Sequence, residues 1–295
     1  MADDYFSDRE QGPRPRTEEE IPLAVWRGLL ALISALSARG AFGVDFPDQC
    51  YDDEGPIGTD EATMGVVLAA EIPSLAWPLD RDALPPTLSI LDLLEFCHRH
   101  VASAIRESFH AFFRHHHLAF DRAAGQAEFR EGVNRILARN GLAYELREDG
   151  RIERLGPPLL REALANAVFR TGDADLDAML ETARGKFRSP DPAVRREGLE
   201  KLWDAWERVK TLDVPGEKKA STAALLDRAA PEKTLRDALD KEATELTRIG
   251  NTFQIRHSET SQVRLERSGD VDYLFHRLFA LVLLLLGARE NAADP

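Results

Sequence analysis

Cysteine is almost missing from this chain. Its 295 residues hold two, Cys50 and Cys97. That is too few for a disulfide framework, and they do not form a Cys-x-x-Cys pair, so a reducing cytoplasm is the expected setting. Positive charge is also short. Lys and Arg number 38 against 51 Asp and Glu, a formal net charge of -13. This argues against whole-surface attraction to nucleic acid and leaves only a local basic cleft for that purpose. The apolar run Leu278 to Leu286 is nine residues long, whereas a membrane span needs roughly 20. It reads as the buried middle of a core helix, and no membrane association is expected. The opening MADDYFSDRE is acidic and polar, the reverse of a secretory signal. There is no Gly-x-x-x-x-Gly-Lys-Ser/Thr loop, no Gly-x-Gly-x-x-Gly turn and no Gly-x-Ser-x-Gly elbow. These gaps count against an ATPase, a Rossmann dehydrogenase and a serine hydrolase. No cofactor is expected.

What is present is an ordinary globular balance, 43% hydrophobic and 30% charged, on a chain long enough for two cores. Residues 1–20 carry Pro13, Pro15 and many charges, and read as extended. A helix over 18–38 buries Trp26, Leu29, Leu30, Ile33 and Leu36, with Gly40 ending it. Residues 40–60 read as loop, followed by a helix over 60–71. Spacing of Ile90, Leu93, Leu94, Cys97, Val101, Ile105 and Phe112 predicts one long helix over 89–117, and a further helix covers 126–139. Alternation on both sides of Asp149-Gly150 marks a β-hairpin over 142–155. Gly156-Pro157-Pro158 is the best domain boundary. Helices are then expected over 158–170, 173–187, 192–210, 217–228, 232–258 and 270–288. Asp191 and Pro192 look like a cap followed by Pro at the first turn. Loops are compact and no repeat is found, so a bundle is expected rather than a solenoid. The fold class is mainly α: an α+β domain with a hairpin over 1–156, and a helical bundle over 158–295.

Two clusters invite a metal reading. Asp48, Asp52, Asp53 and Glu54 make an acidic loop, which is more commonly just solvated. His98, His100, His110, His115, His116 and His117 crowd the predicted helix 89–117. On a helix, ligands must stand three or four residues apart to share a face. No two of these histidines do, and only Cys97 with His100 has that spacing. No metal site is therefore expected. Among basic pairs, Arg195-Arg196 and Lys218-Lys219 suit RNA phosphates or solvated helix ends equally well, and Trp203 with Trp206 reads as core.

The segment 246–260 is the densest in chemistry. Leu235, Leu239, Leu246, Ile249 and Phe253 form one helical stripe, and His257 continues it. Asn251, Arg256, His257 and Glu259 fall within nine residues. A His and a Glu at a helix end can simply cap the last turn. The same set can also serve RNA cleavage.

Leu199 to Thr211, containing Trp203, Trp206, Glu207 and Lys210, is followed by Leu246 to Thr260 and by Asp272, Tyr273 and Phe275. Together these resemble the C-terminal domain of bacterial abortive-infection proteins of the AbiJ type, which is similar to the HEPN superfamily. Tyr5 to Arg9 with Val25, Trp26 and Arg27, Ile90 to Phe96, and the hairpin over 142–155 resemble an N-terminal domain attached to such proteins. The resemblance implies a HEPN-like C-terminal helical bundle, homodimerisation through it, and metal-independent RNA cleavage. In the family motif an Arg precedes a His by four to six intervening residues. Here Asn251, with five residues between it and His257, stands in the place of the Arg. His257 is then the acid/base, because imidazole titrates near neutral pH. Arg256 clamps the phosphate, and Asn251 is the orienting donor. Arg248 extends the phosphate contact, and Glu259 fixes the imidazole tautomer at the RNA site. The expected function is a prokaryotic antiphage effector acting on RNA, its front domain sensing a trigger or holding the effector inactive, with a defence-system protein as a further partner. The rival expectation is a non-catalytic binding or dimerisation module serving as adaptor or regulator.

Overall fold

The computed structural model describes residues 5–51, 55–214, 216–253, 255, 263, 265 and 267–291. The chain divides into two compact units, Met1–Leu155 and Gly156–Pro295. Among the described residues it is mainly α, with eleven helices and three two-stranded antiparallel sheets.

The first unit begins with α1 (Phe6–Gln11), where an extended start was expected. Asp8 pairs with Arg139, whose guanidinium also lies 3.9 Å over the Tyr5 ring, and these contacts tie the early segment down. Helix α2 (Leu23–Ser37) buries Val25, Trp26, Leu29, Leu30, Ile33 and Leu36 on one stripe. The expected loop over 40–60 contains a hairpin, β1 (Pro47–Gln49) with β2 (Pro56–Thr59). Asp60 then accepts from the Ala62 and Thr63 amides and caps α3 (Glu61–Glu71).

Helix α4 (Thr87–His100) carries Ile90, Leu93, Leu94 and Cys97 into the core. The predicted helix over 89–117 is wrong beyond this point. The chain becomes extended at Val101 and forms a hairpin, β3 (Ser103–His110) and β4 (His115–Asp121). Val101, Ile105 and Phe112 mimic a helical stripe, but Ile105 and Phe112 are exposed, Phe112 by 83%. An apolar stripe with no partner surface cannot sustain a helix, whereas a hairpin satisfies the backbone without one. Helix α5 (Arg122–Arg139) crosses the start of β3 at Gly125. A Cβ there would lie 2.2 Å from the Ala102 carbonyl carbon. Strands β5 (Tyr144–Leu146) and β6 (Ile152–Arg154) form the hairpin read from Asp149-Gly150, with Gly150 at φ +84°.

The second unit is helical in its described residues: α6 (Pro158–Asn166), α7 (Ala174–Phe187), α8 (Pro192–Val209), α9 (Lys218–Ala229), α10 (Lys233–Thr252) and α11 (Ser268–Asn291). Asp191 caps α8, with Pro192 in its first turn, as the sequence suggests. Trp203 and Trp206 are fully buried. Phe187 stacks on Phe275 at 3.8 Å. Arg195 is not a surface cation: it is buried and donates to the Ser189 and Pro190 carbonyls and to Ser268 Oγ. Helix α11 is long and apolar enough to cross a membrane by length and composition, and half of its most apolar window is buried within the protein. Leu278, Phe279, Val282 and Leu285 are in the core of this unit.

Asp173 starts α7 by accepting from the Asp175 and Leu176 amides, and receives two bonds from Arg208 on α8, 2.6 and 2.8 Å. The Arg208 bonds hold its carboxyl below the ordinary carboxylate range, against the opposing effect of burial. Removal of this cap by Asp173→Ala is expected to cost about 1–2 kcal/mol at neutral pH. Because the folded-state value is depressed, the contribution is present above pH ~4 and is lost as pH falls through the folded value. Denaturant unfolding of both proteins across pH 2.5–7 checks this. The gap between them closes at the acid end.

Candidate functional site

Helix α10 carries the residues singled out in the second unit. Ala243, Leu246, Ile249 and Gly250 form its buried stripe. Leu235 does not join them and is exposed. Trp203 Nε1 donates to the Leu246 carbonyl at 3.1 Å, and its indole covers Gly250. A Cβ on Gly250 would lie 2.1 Å from that nitrogen, so glycine is what lets α10 approach α8 here. The helix ends at Thr252. Phe253 is extended (φ −90°, ψ 155°) and bridges to Val263. The expected helix over 232–258 therefore stops six residues early, and its stripe ends with it. Thr252 Oγ1 turns back to the Arg248 carbonyl, a local competitor of the helix ladder at its end.

Arg248 and Asn251 stand three apart on the last turn and share its exposed side. Arg248 makes a two-pronged pair with Glu245, 2.8 and 2.6 Å. These bonds raise the guanidinium pKa and lower that of Glu245. Arg256, His257 and Glu259 lie outside the described residues. The structure thus brings two of the five sequence-derived site residues together.

Beside the same helix opens a cavity of about 500 Å³. Lys210, Lys218, Lys219 and Arg236 line it, with Asp240, Thr244, Thr247 and the edge of Trp206. Four cations and one carboxylate line it, while Glu207 and Asp227, outside the lining, pair with three of the cations. Lys210 reaches Glu207 at 2.6 Å and Thr247 Oγ1 at 3.3 Å, and Lys218 reaches Glu207 at 2.9 Å. Burial opposes ionisation of Glu207, but the two lysines outweigh it and hold its pKa below the ordinary glutamate value. Arg236 is held by Asp227 at 2.9 Å and by Asp240 at 3.5 Å. Lys219 makes no ion pair among the described residues. A sequence signal for this wall existed: Arg236, Asp240, Thr244 and Thr247 follow one another at four, four and three residues, a second stripe on α10.

In the first unit the hairpin gathers side chains that a helix would have kept apart. His110 and His115 are cross-strand partners beside the turn, and His117 lies on the same strand face as His115. Cys50, just past β1, points its sulfur at them. Sγ lies 3.0 Å from His115 Nε2 and 3.8 Å from His110 Nδ1. The four donor atoms all fall within 4.8 Å of one another. The expectation of no metal rested on a helix that is not formed. Of the acidic loop, Asp52, Asp53 and Glu54 lie outside the described residues. In the same unit a concavity of about 860 Å³ opens between α2, α3 and residues 77–82, where Arg27 and Asp82 pair at 2.7 Å.

Among the described residues, a front unit of helices and hairpins followed in sequence by a helical unit defines a two-unit, mainly α protein. Residues 4–170 match the family model of AbiJ N-terminal domain 4. That span is more than half of the chain, and the chain belongs to this family. It is an AbiJ-type protein, a membership that points to an abortive-infection role. No curated protein and no solved structure matches the chain.

Proposed function

We propose that this chain is a cytoplasmic antiphage effector whose second unit acts on RNA, with the family-matched first unit as the sensing or regulatory part. The observation that carries the RNA reading is the cation-lined cavity along α10 in a chain of net charge -13. Lysines and an arginine that converge on one concavity suit a phosphate backbone, and threonine hydroxyls add donors. Trp206, buried behind them, braces Thr247 through its Nε1 at 3.2 Å. The resemblance of residues 199–211 and 246–260 to HEPN-like domains supports a metal-independent cleavage site. In it His257 transfers the proton, Arg256 binds the phosphate and Asn251 orients, while Arg248 extends the phosphate contact and Glu259 fixes the imidazole tautomer. The 2′-hydroxyl is the nucleophile, which selects RNA over DNA.

Homodimerisation through the second unit belongs to the same reading. Tyr273 and Leu284 on α11 are exposed. At eleven residues apart they lie on one side of the helix, with Arg277 and Ala280 between them, and are offered as contacts for a second copy. The rival reading, a binding or dimerisation module without catalysis, is favoured by the Arg248–Glu245 pair, which engages the guanidinium within α10 itself.

Fluorescence anisotropy with a single-stranded RNA, using the intact chain and Lys218→Glu/Lys219→Glu, tests the RNA reading. The variant is expected to bind at least ~10-fold more weakly. Its log-log salt slope should fall by about 0.7 for each phosphate that is no longer neutralised. Superimposable isotherms and slopes would show that the cavity does not bind RNA.

A further inference from the structure

We propose that Cys50, His110, His115 and His117 bind one zinc ion, in a site of the first unit independent of the RNA chemistry.

Topology assembles the ligands. Strand alternation places His115 and His117 on one face, and hairpin register places His110 directly opposite His115. Cys50 arrives from a separate hairpin, where its amide donates to the Gly55 carbonyl at 3.1 Å. Ligands from three places in the sequence thus meet at one point. His110 meets His115 and His117 edge-on, with centroids 5.5 and 5.7 Å apart, and His115 and His117 face each other at 5.4 Å.

The size is right for a tetrahedral ion. Zinc bonds of about 2.0–2.1 Å to nitrogen and about 2.3 Å to sulfur give ligand–ligand edges of roughly 3.3–3.6 Å. The observed donors span 3.0 Å, 3.8 Å and at most 4.8 Å. Small side-chain rotations close the remainder.

The burial is also right. Cys50 and His117 are buried. His117 Nε2 is enclosed without a hydrogen-bond partner, an arrangement that costs free energy unless something ligates it. Phe113, itself partly exposed, packs on two of the rings. Its ring stacks on His115 at 5.9 Å and meets His110 edge-on at 4.9 Å.

One thiolate and three neutral imidazoles form a borderline-soft set that suits zinc and excludes calcium and magnesium, which demand oxygen. Four protein ligands leave no open position, so the ion is structural. Its effect is local and specific. A two-stranded hairpin is marginal alone, and β3 is largely exposed. Coordination would fasten the hairpin tip, with its exposed Phe109 and Phe112, to the segment after β1.

The test uses the intact, untagged chain purified without chelator. Elemental analysis is expected to give about one zinc per chain. Cys50→Ser, His115→Ala and His117→Ala should each weaken zinc binding by more than ~100-fold, beyond the 10–100-fold that outer groups are worth. Circular dichroism confirms that each variant is folded. Cobalt substitution gives an independent signature. The folded wild type should show tetrahedral d–d absorption and a thiolate charge-transfer band, and Cys50→Ser should lose the charge-transfer band first. Folded wild-type protein that takes up neither zinc nor cobalt would overturn the proposal. So would equal uptake by wild type and the Cys50→Ser/His115→Ala/His117→Ala triple variant, because the metal would then sit elsewhere.

Discussion

Trp203→Ala is expected to destabilise the second unit by about 3–5 kcal/mol, the range for deleting a buried tryptophan. The indole is 1% exposed, fills the space that Gly250 leaves on α10, and donates to the Leu246 carbonyl at 3.1 Å. Alanine would leave a cavity and remove the second hydrogen bond to the Leu246 carbonyl at the crossing of α8 and α10. Trp206 should not compensate, because it is already buried and bonded through Nε1 to Thr247 Oγ1 at 3.2 Å. Urea unfolding of the intact chain measures the effect. Two cores make a single transition unsafe to assume, so the midpoint of the second unit's transition is the quantity to follow. A loss below about 1 kcal/mol would mean that α10 is not held by α8 in this way. Function should suffer as well, because Thr247, on the same helix turn, lines the cationic cavity.

The second large effect concerns catalysis. His257→Ala is expected to lower the RNA cleavage rate by about 10²–10⁴-fold, the usual worth of a positioned general acid or base. RNA affinity should change little, because the proposed phosphate contacts are those of Arg256 and of Lys218 and Lys219. Arg256→Ala should weaken both. Initial cleavage rates of a labelled RNA at saturating protein, read beside the anisotropy isotherms, separate the two. Cleavage that survives His257→Ala unchanged would sink the acid/base assignment.

Much of the helical architecture is legible in the sequence because its causes are local. The stripe of α2, the Asp191 cap with Pro192, and the Asp149-Gly150 turn are each written in a few consecutive residues. The β3–β4 hairpin is not. Val101, Ile105 and Phe112 have helical spacing, and what decides against the helix is long-range: α5 meets the Ala102–Ser103 backbone at Gly125. The same false periodicity hides the Cys50, His110, His115 and His117 cluster, since spacings unfit for one face of a helix fit a hairpin well. The end of α10 is misplaced for a related reason. Ile249 and Phe253 are four apart, but Phe253 leaves the helix to bridge Val263. Of the cationic cavity, Lys218-Lys219 is visible as a pair, while Lys210 and Arg236 come from separate segments that only packing unites.

Action of the second unit on RNA through a 2′-hydroxyl mechanism, as proposed, makes a sharp distinction between RNA and DNA. The most direct measurement incubates the purified intact chain, without added metal, with an end-labelled RNA and with the same strand carrying deoxyribose throughout. Discrete fragments are expected from the RNA, none from the deoxyribose strand, and none from either with His257→Ala. RNA that stays intact while still bound through the Lys218-Lys219 cavity would contradict cleavage and establish the second unit as a binding module.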